Sequence, residues 1–354
     1  MNAASSTQAV RHEPAGPPQG RMPQGEARRS RNEPLRARPR AAATGLVRAL
    51  GAALLAVALA PQLAPAQTPV LASPDPALAA RGYARPEMLI STDELAQRLG
   101  APSLHLVDAS DPAAYARAHL PGAVSIPYLE LSRIAERRAT GQPTSSFEAE
   151  RLFGGAGIGA ETEVVVYDGG EGAPASGVWF ALRFFGHEKV RLLDGGFAKW
   201  LREGRPLTQA LPAIERVKFT PAPRRELIVD RQALQRRLGE PGLVVADTRS
   251  RGEYLGSDVR DGASRGGHIP GAIHMEWTEF AADGASFAGA AQIEAALARH
   301  GITRDTQVVA YCQAGLGRST HVAFAMRLTG WDRVVGYPGS WEEWSADPRL
   351  PLQR

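Results

Sequence analysis

The feature that most constrains this chain is that it repeats itself. LHLVDAS (104–110), AHLPGAVSIP (118–127), EVVVYDGG (163–170) and LLDGGFAKW (192–200) are followed, in the same order, by LVVADTRS (243–250), GHIPGAIHMEW (267–277), QVVAYCQAG (307–315) and GYPGSWEEW (336–344). Asp168 lies 144 positions before Cys312, and Trp200 lies 144 before Trp344. The offsets of 139 from Asp108 to Asp247 and 149 from His119 to His268 differ by loop insertions. Four landmarks in one order imply a duplicated domain. In each half, short β-branched apolar runs, suited to strands buried on both faces, alternate with helical patterns such as STDELAQRLG (91–100) and GAAQIEAALARHG (289–301). That alternation predicts an α/β fold: two tandem domains, each a central mostly parallel sheet flanked by helices. The N-terminal domain is expected over 84–205 and the C-terminal one over 226–354, joined by a Pro-containing, weakly patterned linker at 206–225.

The formal charge of +4 suggests nucleic acid until it is located. Residues 1–66 carry nine Arg, three Glu, and no Lys or Asp, a balance of +6, so the remaining chain stands at −2. A slightly acidic body removes the electrostatic case for nucleic acid. Residues 1–66 read as a basic, Pro- and Gly-rich segment followed by a signal peptide. Arg36, Arg38, Arg40 and Arg48 precede the uncharged ALGAALLAVALA (49–60), and Ala64-Pro65-Ala66 supplies small residues for cleavage near Ala66. The apolar core is too short to span a bilayer comfortably. A periplasmic or secreted protein is expected, with translation starting at or after Met22; a basic tail on a cytoplasmic protein is the alternative.

Cys312 is the only cysteine, which excludes an internal disulfide. VVAYC is expected to be a central strand and RSTHVAFAMRLTG (318–330) a helix, so the glycine-rich turn Gln313–Gly317 lies at the carboxyl end of a parallel strand, where open α/β sheets bind ligands. Free N–H groups and the helix dipole there favour a thiolate together with an anionic ligand. Gly315 and Gly317 let the backbone curl, and Arg318 adds a fixed positive charge. A cysteine at a strand end is more often a small buried hydrophobe, but the turn, the arginine and the repeat position together point to a nucleophile. Asp168, at the repeat position of Cys312, carries no thiol.

Paired HLPGA and HIPGA elements, YC before a Gly-rich turn, LLDGGFAKW, and the ending YPGSWEEWSADPRLPL make residues 84–354 resemble the tandem-domain rhodaneses, the thiosulfate and 3-mercaptopyruvate sulfurtransferases. The resemblance implies rhodanese-like folds, an inactive N-terminal copy and a catalytic C-terminal one. It implies that Cys312 takes a sulfur from a small anionic donor as a persulfide and passes it to cyanide or a thiol, a thioredoxin-like protein among them, without a metal or organic cofactor. Cys312 and Arg318 are then the catalytic residues. The loop Gln313, Ala314, Gly315, Leu316 and Gly317 forms the substrate cradle, with Arg249 of ADTRSRGEY and Arg260 of SDVRDG holding donor oxygens. A monomer is expected.

The loop departs from the family by an extra residue near Gly317. Cys312-Gln-Ala-Gly-Leu-Gly-Arg318-Ser319 also fits the C-x5-R-[ST] signature of phosphatases and certain arsenate reductases, so a rhodanese-fold oxyanion enzyme is a second reading, and a persulfide carrier with little free turnover a third. His119 and His268 lack the second ligand that a metal site needs and are expected to shape turns.

Overall fold

The computed structural model describes residues 75–132, 137, 141–283 and 286–354, so the leader expected over 1–66 lies outside the described residues. The first sheet holds β1 (Leu89–Ile90), β2 (Leu104–Asp108), β3 (Ala123–Ser125), β4 (Glu163–Tyr167) and β5 (Val190–Leu193) in the order β1-β5-β4-β2-β3. The second holds β6 (Leu243–Asp247), β7 (Ile273–His274), β8 (Gln307–Tyr311) and β9 (Val334–Gly336) in the order β7-β6-β8-β9. All pairings in both are parallel. Ile228 bridges Gly336 in parallel and so takes the place of β1 in the second sheet. The central β4 and β8 are buried from their second residue onward, which accounts for their unbroken Val and Tyr runs. Asp168 and Cys312 follow directly after them, at the carboxyl edge of their sheets.

The two domains share one core. Helices Ala173–Phe184 and Arg318–Leu328 are buried over most of their surface and pack on each other, with the Trp179 and Phe324 ring centroids 4.8 Å apart. Gly177 makes the close approach possible: a Cβ there would lie 3.2 Å from the Gly317 nitrogen. The stretch expected as a linker is also tied down. Val217 N donates to Gly154 O (3.1 Å), Arg224 N to Phe184 O (2.7 Å), and Phe219 is buried against Phe153.

His119 and His268 close equivalent corners. Each stacks on a tyrosine, Tyr115 or Tyr254, each Nδ1 lies 2.9 Å from that tyrosine's carbonyl, and each bridges a later segment of the chain, at Thr208 or Gln353.

His321, in the domain interface, is different: it is fully buried, stacked on Phe287, and neither ring nitrogen has a well-formed hydrogen bond among the described residues. Burial pushes its pKa down from 6.5 to about 4, against a smaller opposing pull from the Gly172 and Phe280 backbone. Between those two values the unfolded chain holds more protons than the folded one, so stability is full above about pH 6.5 and declines as pH falls towards about 4. The expected loss from this residue is about 3 kcal/mol. His321→Phe should flatten the pH dependence of Tm across that window; an unchanged slope would refute the assignment.

Candidate active site

Cys312 lines a two-domain cavity of about 950 Å³. Tyr128, Leu129, Glu171, Ala173 and Pro174 come from the N-terminal domain; Cys312 and its loop, Arg260, Trp277 and Arg318 are among those from the C-terminal domain. The N-terminal domain thus forms one wall of the cavity at Cys312. The thiol is 2 % exposed but has polar neighbours: Ser319 Oγ donates to Sγ at 3.4 Å, and Sγ lies 3.5 Å from Leu316 O. Its own N–H is held by Ser340 Oγ at 3.1 Å, and its carbonyl by Trp341 N at 3.0 Å.

The loop is one residue longer than its N-terminal counterpart: five residues separate Cys312 from the helix at Arg318, four separate Asp168 from the helix at Ala173. The shorter loop closes on its own side chain. Asp168 accepts from the N–H groups of Gly170 (2.8 Å), Gly172 (3.1 Å) and Ala175 (3.0 Å). Burial pushes this carboxyl upward in pKa, and the three amides pull it down. In the longer loop only Gly317 N is taken by a side chain, Thr320 Oγ1 at 3.0 Å; among the described residues the N–H groups of Gln313, Ala314, Gly315 and Leu316 have no acceptor, and Gln313, Ala314 and Leu316 line the cavity.

Gly315 turns the loop rather than facing the cavity. Its φ is +84°, and a Cβ would stand 2.0 Å from Pro338 O. Gly315→Ala is therefore expected to cost at least ~1–3 kcal/mol and, by displacing the amides, to lower kcat/KM by on the order of 100-fold. Urea unfolding and thiocyanate kinetics on one preparation check both numbers.

Arg318 lines the cavity beside Cys312, but its guanidinium is held by Glu253, at 2.6 and 3.0 Å. Burial pushes the Glu253 carboxyl up in pKa, yet the Arg318 pair and the Ser250 hydrogen bonds outweigh it and hold it down at about 2. An arginine so engaged is poorly placed to grip a tetrahedral oxyanion with both arms. Arg260 is half exposed at the cavity, its Nε 3.5 Å from both Glu253 and Asp258.

Arg249, expected to hold donor oxygens, does not reach the cavity. It is 1 % exposed and absent from the cavity lining. Its Nη2 donates to Asp247 (2.6 Å) and Gly267 O (2.7 Å), and the guanidinium lies over the Trp341 ring at 4.7 Å. Its Nε and Nη2 donors are used inside the domain.

Arg137 and Ser340 were missed by sequence reasoning. Arg137 is an N-terminal-domain residue, 2 % exposed, that donates to Ser132 O (3.0 Å) and Pro338 O (2.9 Å) and pairs with Glu342, clamping the turn against which Gly315 rests. Ser340 holds φ +51°, the left-handed region, where its hydroxyl reaches Cys312 N. The YPGSW spacing hinted at a turn there; nothing in the sequence pointed to Arg137.

The chain is similar to known proteins over most of its length. The chain is 35 % identical over 271 residues to a thiosulfate sulfurtransferase of Azotobacter vinelandii, covering 77 % of this chain and 98 % of that one. It is 34 % identical to a probable 3-mercaptopyruvate sulfurtransferase of Pseudomonas aeruginosa, covering 75 % and 97 %. Among solved structures, EanB in complex with ergothioneine superposes with a TM-score of 0.67 at 26 % identity, covering 76 % of this chain and 70 % of that one. The rhodanese-like domain matches twice, over residues 91–203 and 230–347, and the chain belongs to the rhodanese-like family as a tandem-domain member.

Proposed function

We propose that the protein is a sulfurtransferase in which Cys312 carries the sulfur, with thiosulfate or 3-mercaptopyruvate as donor. With thiosulfate, the Cys312 thiolate attacks the outer sulfur, the S–S bond of the donor breaks, and sulfite leaves with the bonding pair. The product is a Cys312 persulfide anion. Cyanide then attacks the terminal sulfur, leaves as thiocyanate, and the thiolate returns. Neither half-reaction needs an added oxidant or reductant.

The observation that carries this reading is the contrast between the two loops. In the N-terminal copy the loop amides bind a built-in carboxylate. In the C-terminal copy the N–H groups of Gln313, Ala314, Gly315 and Leu316 have no acceptor among the described residues, Gly317 N alone being taken by Thr320 Oγ1, and a sulfur nucleophile stands where the carboxylate would. Such a site suits a negative charge that arrives with the reaction. The oxyanion-enzyme reading is disfavoured by the bidentate Glu253–Arg318 pair.

Because Cys312 is the only cysteine, intact-mass measurement tests the reading without mapping. Incubation with thiosulfate should add the mass of one sulfur atom, and cyanide should remove it with formation of thiocyanate. Loading without catalytic turnover would select the carrier reading. Phosphatase activity on an aryl phosphate without loading would select the oxyanion enzyme. Export is proposed on the leader pattern alone, and N-terminal sequencing of secreted material checks cleavage near Ala66.

A further inference from the structure

The cavity in front of Cys312 has the wrong charge for a site serving anions only. Glu171, Asp258, Asp261, Glu276 and Glu342 line it, against the guanidiniums of Arg260 and Arg318. The arginines are largely compensated already: Arg318 by Glu253, and Arg260 by Asp258 and Glu253 at 3.5 Å. Glu342 is balanced by Arg137, and among the described residues Glu276 has only His274, at 3.8 Å. Glu171 and Asp261, one from each domain, are exposed and have no cationic partner among the described residues. The aromatic rings of Tyr128 and Trp277 line the same space. Uncompensated carboxylates beside aromatic rings attract cations, and at low salt they repel a dianion approaching the thiol.

We infer that the acceptor for the Cys312 sulfur is a thiol bearing a positive charge, an aminothiol in chemical class. The inference rests on the persulfide reading above and names the substrate of its second half-reaction. The acceptor thiolate attacks the terminal sulfur of the Cys312 persulfide, the S–S bond to Cys312 breaks, and the acceptor departs as its own persulfide. The thiol proton goes to solvent, and the Cys312 thiolate is regenerated. The acidic rim holds the acceptor's ammonium group while the loop amides hold the persulfide charge, so each end of the cavity serves one partner.

The test uses three thiols of one length: 2-aminoethanethiol, 2-mercaptoethanol and 2-mercaptoethanesulfonate. The persulfide-loaded enzyme is prepared with thiosulfate and freed of donor, and loss of the added sulfur is followed by mass against each thiol. The ammonium thiol is expected to exceed the sulfonate by about 10-fold or more in second-order rate at low salt, with the gap closing as salt rises. Because the thiols differ in intrinsic reactivity, the decisive readout is the change in that ratio. Glu171→Gln and Asp261→Asn should each shrink it about two- to fivefold, while speeding loading by thiosulfate. A ratio unchanged in both variants and insensitive to salt overturns the inference, although loading still proceeds. Failure of loading in the unaltered protein sinks the persulfide reading instead.

Discussion

Replacing Cys312 by serine is expected to abolish sulfur loading and thiocyanate formation, a loss on the order of 10⁴-fold or more, while the fold persists. The thiol occupies a buried but polar niche. Ser319 Oγ and Leu316 O lie within 3.5 Å of Sγ, so a hydroxyl at this position finds both a donor and an acceptor. A change in stability within about 1 kcal/mol is therefore expected. The chemistry is lost for a separate reason. An alcohol is not ionised near neutral pH, and an oxygen–sulfur product is not a persulfide that cyanide can reopen. Cys312→Asp makes the point more sharply, because it rebuilds in the longer loop the arrangement found around Asp168, whose carboxylate takes three backbone amides. That variant should be folded and inert. Intact mass after thiosulfate, cyanide turnover and a thermal melt on each variant decide the matter. Residual turnover in either one would remove Cys312 from the mechanism.

Much of this site was legible because its determinants are local. A strand, a glycine turn and a helix start are written in consecutive residues, so the positions of Cys312, Gly317 and Arg318 followed from spacing. The repeat added the comparison with Asp168. What remained hidden depends on where side chains turn after the backbone is placed. Arg249 and Arg318 both follow strand ends in the same domain, and their sequence surroundings give no means of ranking them. Burial separates them: Arg249 folds back onto Asp247, two residues earlier, whereas Arg318 meets Glu253 at the cavity. Arg137 was out of reach for another reason. Its partners Pro338 and Glu342 are 201 and 205 residues away, across a domain interface that spacing within one domain does not encode. The cavity's acidity likewise arises from both domains and shows only when they are brought together.

The Arg249 pair provides the largest expected effect on stability. Asp247 is fully buried and accepts from Arg249 N, Nε and Nη2 and from the Tyr311 hydroxyl at 2.6 Å. Burial pulls the Arg249 pKa down, but the Asp247 carboxylate more than offsets it, so the guanidinium stays charged inside the domain. Asp247→Ala strands that charge and should cost about 3–5 kcal/mol, the range for breaking a buried pair from one side. Arg249→Met leaves the carboxylate with the Tyr311 hydroxyl and the backbone N–H of residue 249 and should cost less. Removing both charges together, as Asp247→Leu with Arg249→Met, should recover a large part of the loss, because an apolar pair strands no charge. Urea unfolding of the three variants measures these costs. Thiosulfate kinetics on Arg249→Met then separates the two roles proposed for this residue. An internal tie predicts a lower unfolding midpoint with the donor KM within about twofold of the unaltered protein, whereas a donor ligand would raise KM by on the order of 10-fold or more and leave the midpoint nearly in place.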